Sequence, residues 1–209
     1  MTDFGNLALV QLILLAVQGA IYFFCQYAAK HPHYVGGALE EKIPFIPAFI
    51  FLYLSWFPLL IGAPFLYALY SASSCAEYLG AIVAMIAICI VVYLVYPTII
   101  ERPEPPESRG LVRFLVASTY SVDRKSVNCI PSIHCTVSFL NIYFAFACLN
   151  MPLILKLVML VWCLGICAST LLVKQHAIID IVWAAVLTAA CIPISIFLLS
   201  DPVLRLICR

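Results

Sequence analysis

The stretch KQHAIIDIVWAAV, residues 174–186, sets an imidazole and a carboxylate where a long apolar run begins. Ionisable side chains are costly inside hydrocarbon and mark working sites, and a spacing of four residues brings His176 and Asp180 to one face of a helix. A carboxylate-oriented imidazole at the edge of an apolar segment is the reading that follows.

Similar apolar runs fill most of the chain. With 65% hydrophobic residues, 10% charged residues and a mean hydropathy of +1.10 over 209 residues, this is an integral membrane protein and not a soluble domain. Segments long enough to cross about 30 Å of hydrocarbon predict an all-α fold. The expected form is a six-helix transmembrane bundle, with helices near 7–29, 45–71, 78–97, 133–149, 152–173 and 177–200. One long polar loop, 98–131, separates the third helix from the fourth, and residues 1–209 form a single membrane domain. Pro47, Pro58 and Pro64 predict a kink in the second helix. Only Thr2 and Asp3 separate Met1 from the first apolar run, so a retained helix is expected there and not a cleaved signal peptide.

Of the ten cysteines, Cys25, Cys89, Cys148, Cys163, Cys167 and Cys191 fall within predicted spans, where cysteine acts as a small hydrophobe. No CxxC pair or Cys/His metal spacing is present, so no metal is expected. Cys129 and Cys135 flank a serine and histidine, which leaves their reactivity open. A net charge of +1, with no basic cluster among aromatics, argues against nucleic acid as a partner. Neither a Walker loop nor a Gly-x-Gly-x-x-Gly fingerprint occurs, so no soluble cofactor is implied. Oligomeric state is not legible.

Topology gathers the polar residues. If the third helix ends near Pro97 and the fourth begins near Ser132, both ends face one side; the fourth crosses away and the fifth returns. Arg102-Pro103, Ser132 to His134, and Lys174 to Asp180 then converge on one face, joined by the connection around 30–44, with both termini opposite.

Two histidines, an aspartate, a serine and several cations at a membrane face suit phosphoryl transfer, which needs donors around the oxygens, an in-line nucleophile and an acid for the leaving group. His176 is positioned to attack phosphorus, with Asp180 fixing its tautomer, and His134 to protonate the leaving alkoxide. Ser132 reads as the N-cap of a helix whose start makes an anion site, Arg102 as a planar fork for phosphate oxygens, and Lys174 as a point charge. Each also has a purely structural reading: an interhelical bond for His134, a cap for Ser132, an interfacial residue for Arg102, a snorkelling side chain for Lys174.

These residues carry a resemblance. ERPEP supplies Arg102-Pro103, PSIHCTVSF supplies Pro131, Ser132 and His134, and STLLVKQHAIID supplies Ser169, His176 and Asp180. In order and spacing the set resembles the signatures Lys-x6-Arg-Pro, Pro-Ser-x-His and Ser-Arg-x5-His-x3-Asp of the type-2 phosphatidic acid phosphatase superfamily, which sit on a six-helix core. The resemblance implies His176 as nucleophile, Asp180 as its partner, His134 as acid, and Arg102 and Ser132 on phosphate. Two positions depart from it: Val95 stands where the first signature has lysine, and Thr170 where the third has arginine. Lys174, one helical turn after Thr170, is the expected replacement for one cation, and Arg109, Arg113 or Arg124 for the other.

A phosphohistidine resolved by water makes a lipid phosphate or pyrophosphate phosphatase, the leading expectation, since an acyl tail can stay in the bilayer while its head group enters the site. One resolved by a lipid or sugar hydroxyl makes a phosphotransferase, as in the related sphingolipid head-group synthases. A degenerate relative that binds lipid phosphate or acts as a scaffold is the non-enzymatic alternative. The expected partners are a lipid phosphate substrate and the bilayer. Counting Lys and Arg by face would place the motifs in the cytoplasm. The resemblance implies the extracytoplasmic face instead, and that arrangement is the expectation.

Overall fold

The computed structural model describes residues 2–107, 110–123 and 125–208. Helix α1 (Phe4–Ala28) starts at Asp3, whose Oδ1 accepts the Gly5 and Asn6 amides. It leads to a two-residue strand β1 (His33–Tyr34) and a short helix α2 (Ala38–Lys42).

The expected kink in the second apolar run is a break. A 3-10 turn (Pro47–Phe49) and α3 (Ile50–Leu54) precede Ser55, after which α4 (Trp56–Tyr70) continues. Pro58 has no amide to give the Leu54 carbonyl, so the chain opens there. Ser55 Oγ donates to the Leu52 carbonyl at 2.6 Å and accepts from Trp162 Nε1 at 2.7 Å, pinning the break to a later helix.

Helix α5 (Ala72–Val95) is the centre of the core, burying Tyr78, Leu79, Met85 and Cys89 among neighbours that include Tyr67, Leu140 and Phe144. After it come β2 (Thr98–Ile99), α6 (Leu111–Val122), α7 (Ile133–Ala147) and α8 (Leu153–Leu172). Helix α9 (Ile178–Ile194) passes through a π turn (Ser195–Leu199) into α10 (Ser200–Ile207). Pro193 withdraws an amide just before that wider turn.

Among the described residues, five helical segments are long and apolar enough to cross a membrane: Phe4–Ala28, Pro47–Tyr70, Ala72–Val95, Leu153–Leu172 and Ile178–Ile207. The expected fourth span, α7, has 15 residues. That is about 22 Å of helix, short of a roughly 30 Å core. The protein is an all-α, multi-pass membrane protein with five spans by length.

The region 98–131 is not one open loop. LVRFLVASTYSV repeats apolar residues at three- and four-residue spacing, so α6 buries a stripe of Val112, Leu115, Val116 and Tyr120 against Ile50, Tyr53 and Val173.

The expected convergence is present. Strand β1 pairs in parallel with β2, and the Ile46 amide donates to the Leu172 carbonyl at 2.8 Å. The Asn128 amide reaches the Thr98 carbonyl at 2.9 Å, and the Ser132 amide reaches the Asp180 carbonyl at 3.4 Å. At the other end, the Asp3 amide donates to the Ile207 carbonyl at 2.8 Å, and Asn150 Nδ2 to the Tyr70 carbonyl at 3.1 Å.

Candidate active site

His176 lies in the turn between α8 and α9. The Thr170 carbonyl accepts both the Gln175 amide at 2.9 Å and the His176 amide at 3.2 Å, which fixes that turn. In the first turn of α9, the buried Asp180 places Oδ2 at 2.9 Å from His176 Nδ1, and the same oxygen accepts the Ala177 amide at 2.9 Å. A carboxylate only accepts, so Nδ1 carries the proton and Nε2 keeps the lone pair. Burial opposes charging of His176, but the hydrogen bond and charge of Asp180 outweigh it, and the imidazole pKa is raised above its ordinary 6.5.

Ser132 caps α7, its Oγ accepting the Cys135 amide at 3.3 Å. Two residues on, the His134 ring stacks on Tyr53 with centroids 4.5 Å apart and leans on Trp56 at 4.4 Å. Its centroid is 5.7 Å from that of His176. Both histidines line a cavity of about 510 Å³, with Tyr53, Trp56, Asp123, Asn128 and Gln175. The rest of the wall is mostly apolar: Leu15, Gly19 and Phe23 from α1, Phe57, Leu60 and Ile61 from α4, and Leu115 and Val122 from α6. Phe23, Phe57 and Ile61 on that wall are each about half exposed, so the cavity presents accessible apolar surface beside the histidines.

Of the expected phosphate ligands, Arg102 reaches this cavity through Asp123. Its Nη1 donates to the Asp123 carbonyl at 2.8 Å, its Nη2 pairs with Asp123 Oδ2, and its guanidinium lies 5.2 Å above the Tyr120 ring. Lys174 is turned elsewhere: Nζ donates to the carbonyls of Glu40 and Ile43, both at 2.6 Å. The expectation that Lys174 shares a face with Thr170 required α8 to continue, and α8 ends at Leu172, with Lys174 at φ 54. Arg113 donates to the carbonyls of Pro106 and Glu107, whereas Arg109 and Arg124 lie outside the described residues.

The PAP2 superfamily matches residues 77–201. The chain belongs to that superfamily, the type-2 phosphatidic acid phosphatases. No curated protein and no solved structure matches it. The superfamily match spans Arg102, Ser132, His134, His176 and Asp180, and with them both departures. Val95 is exposed, and Thr170 is buried with Oγ1 donating to the Cys167 carbonyl at 2.7 Å.

Tyr53, Trp56, Asn128 and Gln175 are among the cavity residues that the sequence does not single out. Tyr53 and Trp56 come from the second apolar run, where nothing separates them from lipid-facing aromatics. Asn128 and Gln175 carry a fainter signal, as uncharged polar residues beside Pro131-Ser132 and His176. Cys129, beside Asn128, is held as a thiol by burial, which pushes its pKa up, and it donates to the Ser126 carbonyl at 3.3 Å.

Proposed function

We propose that this superfamily member is a membrane-embedded phosphatase for lipid phosphates or pyrophosphates that works through a phosphohistidine. The observation that carries the reading is two histidines, 5.7 Å apart, on a mostly apolar cavity. A lipid tail can lie along Phe23, Phe57 and Ile61 while its head group meets the imidazoles.

In this mechanism His176 Nε2 attacks phosphorus, the N–P bond forms as the P–O bond to the lipid breaks, and His134 gives its proton to the leaving oxygen. Asp180 holds the Nδ1 proton and stabilises the imidazolium. Water, deprotonated by His134, then attacks phosphorus and the N–P bond breaks. Ser132 acts by capping α7, whose N-terminus favours an anion. Arg102 acts through Asp123, with Nε left without a partner among the described residues.

A second lipid at the same apolar wall, with its hydroxyl resolving the same intermediate, would make the protein a phosphotransferase. Helix α7 is read as the sixth crossing: it leaves the site at Ser132 and reaches the turn where Asn150 meets Tyr70. The site is assigned to the extracytoplasmic face, as the superfamily resemblance implies. Arg102, Arg113, Lys125 and Lys174, which weigh toward the opposite orientation, all bind protein acceptors. Labelling of Cys208 in sealed vesicles tests that orientation.

The function is tested with purified protein in vesicles carrying diacylglycerol phosphate, isoprenoid pyrophosphate or sphingoid phosphate, with His176→Ala as control. Phosphate release and an acid-labile label on His176 are expected. No release from any of the three rejects the phosphatase, and labelled alcohol acceptors distinguish transfer from hydrolysis.

A further inference from the structure

Asn128 and Gln175 line the cavity, and three of their buried polar atoms have no hydrogen-bond partner among the described residues: Asn128 Nδ2, Asn128 Oδ1 and Gln175 Nε2. Their residues are 5% and 3% exposed. Trp56 Nε1, in the same cavity, is a further unpaired donor. Buried polar atoms are costly to leave unpaired, so several on residues that line one cavity point to a ligand that completes them. The placement is built: Asn128 sits at φ 63, in the left-handed region that asparagine tolerates, with its amide tied to the Thr98 carbonyl at 2.9 Å. Gln175 is held by its amide on the Thr170 carbonyl, one residue before His176.

The arginine and lysine nearby are already engaged. Arg102 is paired with Asp123, and Lys174 is spent on the carbonyls of Glu40 and Ile43. Asp180 adds a negative charge behind His176. His134, as the proton donor, brings one positive charge to the cavity, so among the described residues a second negative charge on a ligand would enter a largely apolar space without a counter-charge.

We propose that Asn128 and Gln175 bind the substrate's phosphoryl oxygens through their side-chain amides, and that the cavity takes a phosphate of single negative charge, a phosphodiester, in preference to a dianionic monoester. This rests on the reading of the cavity as the reaction site. With a diester, the His176 Nε2–P bond forms as the P–O bond to the lipid alcohol breaks, and that alkoxide takes its proton from His134. Water or an alcohol then gives a proton to His134 as its oxygen bonds phosphorus and the N–P bond breaks.

The probes are short-chain phosphatidic acid and its methyl ester, phosphatidylmethanol, which share tails and differ by one charge at about pH 8. Binding to detergent-solubilised His176→Ala protein is measured by calorimetry, so that no turnover intervenes. The methyl ester is expected to bind about ten-fold more tightly, and Asn128→Asp or Gln175→Glu to weaken it by about 10- to 100-fold. For Gln175→Glu, binding recovers toward about pH 5 as the introduced carboxyl takes up a proton, a reversal that a misfolded variant would not show. Tighter binding of phosphatidic acid, or unchanged binding in both variants, overturns the proposal. The reaction reading is judged separately, by the label on His176 in the unmutated protein: a label without the binding pattern sinks only the diester preference, and the binding pattern without a label sinks only the nucleophile.

Discussion

Asp180 Oδ2 lies 2.9 Å from His176 Nδ1 and 2.9 Å from the Ala177 amide, so one carboxylate oxygen fixes both the ring and the start of α9. Two requirements meet in that atom. The helix needs its first amides satisfied in a poorly hydrated place, and the ring needs one nitrogen committed so that the other is free.

Asp180→Asn removes the charge that raises the His176 pKa against burial. The attacking form is neutral imidazole, so activity in the unmutated protein should rise with pH through an acid limb above 6.5, the ordinary value. In Asp180→Asn the limb should move to lower pH, with the plateau down by about 100-fold or more. Stability runs the other way. A folded pKa raised above the unfolded one gives stabilisation that is complete below about 6.5 and is lost as pH rises through the folded value. Rate profiles and thermal melts across that window check both limbs. A limb that does not move in the variant would show that His176 is not the titrating group.

Lys174→Ala should act on folding more than on chemistry. The ammonium holds two carbonyls near the end of α2, and Glu40 Oε1 in turn accepts the Ile178 amide at 3.0 Å, so the residue fastens the 38–43 segment over the start of α9. Losing hydrogen bonds made by a charged group costs about 1.5–3 kcal/mol. A lower melting temperature, with kcat/KM within about three-fold of the unmutated protein, is the expected pair of results. A large loss of kcat/KM at unchanged stability would return Lys174 to the phosphate.

How far the sequence could be read depended on what carried the signal. Apolar runs gave the bundle because backbone in hydrocarbon must be helical, and the spacing of His176 and Asp180 survived because it lies within one helical turn. Lys174 was misplaced by the same reasoning: counting in fours from Thr170 assumes a helix, and a positive φ after Leu172 sends the side chain the other way. Helix α6 was legible in its periodicity but hidden by the charges around it. Asn128 and Gln175 could not be found from spacing, because an amide in a loop matters only once burial leaves it unpaired.

Asp123→Ala should be among the most damaging changes outside the histidines. Arg102 and Asp123 have side chains 7% and 13% exposed, and removing one partner of a buried pair strands the other at a cost of about 3–5 kcal/mol. Replacing both, as Arg102→Met with Asp123→Leu, should cost clearly less than the single change. Denaturation of the double variant beside Arg102→Met and Asp123→Leu singly measures the coupling. Additive effects would mean that the pair is not energetically joined.

Gly80→Ala should destabilise the bundle through sterics alone. A Cβ there would stand 2.5 Å from Ser195 Oγ and 3.1 Å from Leu199 Cβ, in the π turn that packs on α5. Ser195 Oγ donates to the Glu77 carbonyl, so it cannot swing aside without giving up that bond. Overpacking of this kind costs about 1–3 kcal/mol. Gly62→Ala is the control, because a Cβ at Gly62 meets nothing within 4 Å and alanine is the better helix former. Paired melting curves should show Gly80→Ala falling and Gly62→Ala holding or rising. If Gly80→Ala melts with the unmutated protein, the close approach of α5 to the π turn is wrong, and with it the account of how Pro193 is accommodated.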